Sequence, residues 1–112
     1  MAEALNVFRT VTAEVTTTDS VIYTAPSDYT GIVLMAQVSN VGASNADVTF
    51  SHFDSSASAQ TELLKNFTIP PNDAASMITG KMVLETGDSA KIVGSANNAL
   101  KVTLSILESK NA

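Results

Sequence analysis

Cysteine is missing from all 112 residues, which removes thiol nucleophiles, zinc–thiolate sites and disulfides together. That absence fits a reducing cytoplasm, or a particle assembled in one. Tryptophan is missing too, and aromatics make up only 5% of the chain. A core must therefore be filled by Val, Ile, Leu and Ala, and a sugar-stacking platform would have only Tyr23 and Tyr29 beside the phenylalanines. Basic residues number 6 against 11 acidic ones, a net charge of −5 with a pI near 4.5. A nucleic-acid binder needs a basic face to displace counterions, and anionic lipid repels such a chain, so neither nucleic acid nor membrane is an expected partner. No apolar run approaches the roughly 18 residues of a spanning helix. The start, Met1-Ala2-Glu3-Ala4, lacks the basic head and apolar stretch of a secretory signal, which makes the sequon Asn66-Phe67-Thr68 a chance match.

Catalytic constellations are equally scarce. His52 is the single histidine; His52-Phe53-Asp54 sets an imidazole and a carboxylate two residues apart, but a metal needs further ligands that no motif recruits. No serine sits in a Gly-x-Ser-x-Gly elbow. Glu62, Asp73, Glu85 and Asp88 lie in or beside turn-forming stretches, where acids usually stay solvated. Gly87-Asp88 is a weak hint of a surface Ca²⁺ site. The five glycines are scattered, with no phosphate-cradling loop. The expectation is a protein that is not an enzyme and carries no cofactor and no metal.

What the chain has is short apolar–polar alternation. The stretch Gly31 to Val41 is apolar on both parities in its first half: Ile32, Leu34, Ala36 and Val38 on one side, Val33, Met35 and Gln37 on the other. Such a strand is expected in the middle of a layered β structure, covered on both faces. Pro26-Ser27-Asp28 before it and Gly42-Ala43-Ser44-Asn45 after it are turn material, which favours strand over buried helix.

Before this stretch, Val7, Val11, Ala13 and Val15 share one parity with Arg9, the pattern of a half-buried strand. Ser20 to Ala25 forms a short strand stopped by Pro26. Tyr29 stands at the tip of the following turn, where an aromatic more often covers the end of a sandwich than anchors a contact; it is the one candidate interface residue. Ala46 to Asp54 alternates. Gln60 to Ile69 is strand-like at its end and helix-tolerant at its start. Ala74 to Gly80 reads as a short strand or one helical turn. Lys81 to Glu85, Ala90 to Gly94 and Leu100 to Leu107 are strands separated by Thr86-Gly87-Asp88 and Ala96-Asn97-Asn98-Ala99. Seven or eight short strands at this spacing predict an all-β fold, an antiparallel β-sandwich or jelly roll. The expected division is one domain: residues 1–19 as an N-terminal arm plus first strand, 20–108 as the sandwich, and 109–112 as a polar tail.

The order of Val21-Ile22-Tyr23-Thr24-Ala25-Pro26, Tyr29-Thr30-Gly31-Ile32-Val33, Ala46-Asp47-Val48-Thr49-Phe50, Glu62-Leu63-Leu64-Lys65, Ile69-Pro70-Pro71-Asn72-Asp73, Leu84-Glu85-Thr86-Gly87-Asp88 and Leu100 to Glu108 resembles small virion proteins of tailed bacteriophages. The resemblance rests on order and spacing from residue 20 onward. It implies a non-enzymatic sandwich located on the virion and assembled in the host bacterial cytoplasm. In that setting the chain is a capsid decoration (cement) protein that forms a homo-oligomer, a trimer by analogy, and contacts the major capsid protein or other virion proteins. A neck, tail or fibre-associated module of the particle and a carbohydrate- or receptor-binding sandwich are the alternatives.

Overall fold

The computed structural model describes residues 5–111; the expected arm at residues 1–4 lies outside them. Where apolar and polar residues alternate, strands form: β1 (Asn6–Val15), β2 (Ser20–Thr24), β3 (Tyr29–Asn40), β4 (Ala46–Asp54), β5 (Ala59–Ile69), β6 (Ala74–Ser76), β7 (Met82–Leu84), β8 (Ser89–Gly94) and β9 (Leu100–Lys110). There is no helix among the described residues. The helix-tolerant start of β5 and the ambiguous stretch at Ala74 are both strand, because each pairs with a long neighbour, β4 and β3 respectively. β9 continues past residue 108 into the expected tail.

The pairings are nested. β4 pairs with β5, β3 with β6 and β7, β2 with β8, and β1 with β9, all antiparallel. This is one long hairpin rolled up, with β9 then closing against β3 and β8 against β4. The result is a two-layered jelly roll: sheet A in the order β1-β9-β3-β6, with β7 also on β3, and sheet B in the order β2-β8-β4-β5.

Between the layers lies an aliphatic core. Leu100, Val102, Leu104 and Ile106 of β9, Val33, Ala36 and Val38 of β3, and Val15 of β1 face Val48 and Phe50 of β4, Ala90 and Ile92 of β8 and Ile69 of β5. The turns are made by residues that tolerate positive φ: Asp28, Asn72 and Asn98, and Gly87 in the β7–β8 turn. The layers meet so closely at Gly94 that a Cβ there would lie 2.9 Å from Val15 Cγ1.

The central strand departs from strict alternation. The register of β3 against β9 shifts between Val33 and Met35, a β-bulge that adds one residue and changes the parity. Gly31 and Val33 point inward before it, and Ala36, Val38 and Asn40 after it. The expected face of Ile32, Leu34, Ala36 and Val38 is therefore split. Nor is β3 covered twice: it sits mid-sheet with one face on the core, while Ile32, Leu34 and Met35 look outward.

Candidate functional site

Two buried carboxylates lie between the layers, and both are engaged internally. Arg9 shares the inward parity of β1, and Glu108 that of β9. The Arg9 Nε donates to Glu108 Oε1 at 2.8 Å, and Tyr23 of the opposite sheet donates its hydroxyl to Glu108 Oε2 at 2.6 Å. Arg9 is half-exposed whereas Glu108 is buried. The hydrogen bond and charge of Glu108 further favour the protonated guanidinium. Tyr23 is held well above the ordinary tyrosine pKa, first by burial and then by the bond to Glu108 and its negative charge, with Arg9 pulling the other way. The Tyr23 ring packs against Gly31, where a Cβ would come within 3.0 Å of Cε2; that glycine lets the ring reach across.

Asp88, expected near a surface, is buried instead. Its Oδ1 accepts the Ser55 amide at 3.1 Å and the Ser55 hydroxyl at 3.3 Å, and its Oδ2 faces His52 Nε2 at 3.6 Å. The surface Ca²⁺ hint at Gly87-Asp88 therefore fails, since this carboxylate is turned inward to hold the loop after β4. Asp54, expected beside His52, caps its own turn: its Oδ1 accepts the Ser56 hydroxyl at 2.8 Å and the Ser56 amide at 3.1 Å. Chiefly that hydroxyl bond holds Asp54 below the usual carboxylate range. Among the described residues, no three His, Cys, Asp or Glu side chains gather as a metal would require.

The surfaces are more informative than the interior. On the outer face of sheet B, Lys91 Nζ lies 3.1 Å from Asp19 Oδ2 and 3.1 Å from Gln60 Oε1, while Gln60 donates to Ser51. The Lys91 ammonium also stands 5.7 Å from the Phe53 ring centroid. The middle of that face is a knitted polar layer, with Val21 exposed beside it. On the outer face of sheet A, the register aligns Phe8 with Leu107, Leu107 with Ile32, and Ile32 with Val83. Phe8 is 76% exposed and Val83 56% exposed. An apolar row thus crosses four strands in contact with water.

Two long edges are unpaired among the described residues, β1 of sheet A and β5 of sheet B. β5 is interrupted by shifts in its register against β4 and by Asn66 at φ 51°, irregularities that discourage a further strand. β1 is regular. Lys110 donates its amide to the Leu5 carbonyl at 2.7 Å, and the register runs unbroken from Asn6↔Ser109 to Val15↔Leu100. Odd-numbered residues of β1 therefore bond to β9, and Phe8, Thr10, Thr12 and Glu14 turn their backbone N–H and C=O to the free side. At the opposite edge, Leu63 and Leu64 of β5 and Met77, Ile78, Met82 and Val83 line a groove of about 430 Å³.

Tyr29, the residue singled out from sequence, begins β3 half-buried. Its amide closes a turn onto the Pro26 carbonyl, its carbonyl accepts the Thr86 hydroxyl at 2.6 Å, and Lys110 Nζ stands 5.5 Å from its ring centroid. It belongs to the same pole as Glu108, which pairs with Gly31 two residues along β3. Sequence reasoning missed Phe8 and Val83. The available signal was their parity, opposite to Val7, Val11 and Leu84, which marks them as apolar residues facing out.

The fold defines a class, the small two-sheet jelly roll, and the comparisons bear on it at the level of fold. No family model matches the sequence, and no curated protein does. A solved chain described as "Bacillus endospore appendages form a novel family of disulfide-linked pili" is similar, with a TM-score of 0.59 over 96% of this chain and 88% of that one. Sequence identity is 11%, so the likeness is one of architecture.

Proposed function

We propose that this protein is a structural subunit that assembles in several copies on a larger particle, with no bond-making chemistry. The observation that carries the reading is the free edge of β1, ten residues long, regular and lightly charged. Its inward-facing Arg9 is engaged by Glu108, and Glu14 stands opposite Lys101. Edges of this kind are normally blunted, because they template pairing with another chain. A fold shared with a chain from a pilus-like appendage supports a structural role, although a chain without cysteine must hold its assembly together without disulfides.

Within that reading, the sequence resemblance favours a bacteriophage virion, and there a capsid decoration role: copies of the protein, three by analogy, contact the major capsid protein and add many weak contacts whose avidity strengthens the shell. A neck or tail module would use the same edge in a ring.

The test uses proline. Thr12→Pro removes an amide that faces the free side and leaves the ladder to β9 intact. The wild-type chain is expected to form ordered assemblies visible by electron microscopy and sedimentation, and Thr12→Pro to remain small with an unchanged circular dichroism spectrum. A wild-type chain that never grows beyond the species Thr12→Pro forms would refute edge assembly. Antibody labelling of purified phage particles carrying the protein separates a head from a neck or tail position.

A further inference from the structure

β3 carries apolar side chains on both faces, and the fold covers only one of them. Ile32, Leu34 and Met35 look outward from the middle of sheet A; Ile32 is in line with Leu107, Phe8 and Val83, and Met35 stands opposite Ser105. Between Phe8 and Leu34, over Ser105, the sheet surface sinks into a depression of about 220 Å³. An enclosed cavity of roughly 150 Å³ holds benzene, so this open depression, bordered by Arg9 and Thr10 as well as by Phe8 and Leu34, has room for a phenyl ring. The ring of Phe8 protrudes beside it, leaving on the order of 150 Å² in water.

A knob standing next to a hole of its own size is self-complementary about a two-fold axis. We propose that the outer face of sheet A is an isologous interface between two copies of this chain, the Phe8 ring of each seated between Phe8 and Leu34 of the other. Charge favours a second copy as the occupant. The chain carries −5 overall, so copies repel through most of their surfaces. Yet the outward-facing strand residues of sheet A include only Glu14 and Lys101 as charges, and these stand opposite each other, roughly 20 Å along β1 from Phe8. Two such faces meet at about 10 Å, as layers of a sandwich do, and Arg9, the charge that borders the depression, is already paired with Glu108 of its own chain. This contact rests on the assembly reading above only in that copies must meet; it joins two subunits, or two rings of them, through faces instead of edges.

The absence of cysteine supplies a clean test. In the full-length chain, Thr10→Cys places single thiols beside the proposed axis and keeps the Phe8 ring, and Val21→Cys places them on the exposed outer face of sheet B. Mild oxidation is expected to cross-link Thr10→Cys into dimers at least about tenfold faster than Val21→Cys; equal rates overturn the proposal. Native mass spectrometry of wild type, Phe8→Glu, Leu34→Glu and Thr12→Pro then separates face from edge. Even-numbered species that persist in Thr12→Pro and weaken at least about tenfold in Phe8→Glu and Leu34→Glu, with melting unchanged, support the face contact. A wild-type chain that is monomeric or odd-numbered throughout overturns it. So does association abolished by Thr12→Pro but untouched by both charged variants, which would leave the edge reading standing. Dependence on Phe8 and Leu34 alone, with no effect of Thr12→Pro, retains the face and removes the edge.

Discussion

The two sheets are alike inside and unlike outside. Both contribute fully buried aliphatics to the core, but sheet B carries the Asp19–Lys91–Gln60–Ser51 layer across the middle of its outer face, with Val21 exposed singly beside it, whereas sheet A presents Phe8, Leu107, Ile32 and Val83 in a row. Lone exposed apolar residues are ordinary on protein surfaces; a row in register across four strands is a patch, and patches mark contacts. The lesson is that half of the apolar content of the central strand serves the fold and half is left for something outside it.

Substitutions can break or sharpen that contrast. The largest effects belong to the shared interior. Phe50→Ala in sheet B and Leu104→Ala in sheet A should each cost about 3–4 kcal/mol, measured by urea unfolding; a large inequality would mean the layers are not equivalent inside. Next comes the polar link between the layers. Glu108→Ala leaves the buried Tyr23 hydroxyl without its partner and should cost about 2 kcal/mol.

Tyr23 adds a pH signature. Its folded-state pKa is raised above the ordinary 10.0, so between those values the folded state keeps a proton that the unfolded chain has lost. Stability should fall as pH rises beyond about 10, and Tyr23→Phe should flatten that alkaline limb. A limb that persists unchanged in Tyr23→Phe would assign it to another group.

The smallest effects belong to the outer faces, and there the sheets should part. Lys91→Ala on sheet B should cost about 0.5 kcal/mol and leave association alone. Phe8→Ser on sheet A should change the melting of the monomer little while raising solubility, read from the protein concentration at which light scattering begins. A loss of stability at Phe8 as large as that at Phe50 would mean the ring is packed within its own chain.

Much of this architecture is legible in the sequence because strands announce themselves by parity. Leu100, Val102, Leu104 and Ile106 alternate cleanly and become the inward face of β9. Arg9 at a core parity is a visible oddity of the sequence, and Glu108 continues the inward parity of Ile106. No motif announces that these two residues, 99 positions apart, meet. That comes from the roll. The bulge at Leu34 was hidden for a different reason: in a run where every residue is apolar, an extra one leaves no mark on the pattern. The short β6 was ambiguous because three small residues pair only when a long neighbour offers them a ladder.

The nested pairing also joins partners at very different separations along the chain. The β4–β5 hairpin joins neighbours in sequence, while β1 must find β9 across nearly the whole chain, from Val15↔Leu100 to Asn6↔Ser109. Such distant pairings form slowly. In any chain whose β1 has not docked, the apolar β9 would be an open border of the sheet, available to the β1 of a neighbouring molecule. Crowded synthesis therefore carries a kinetic hazard of exchanged strands, and refolding yield should drop as protein concentration rises.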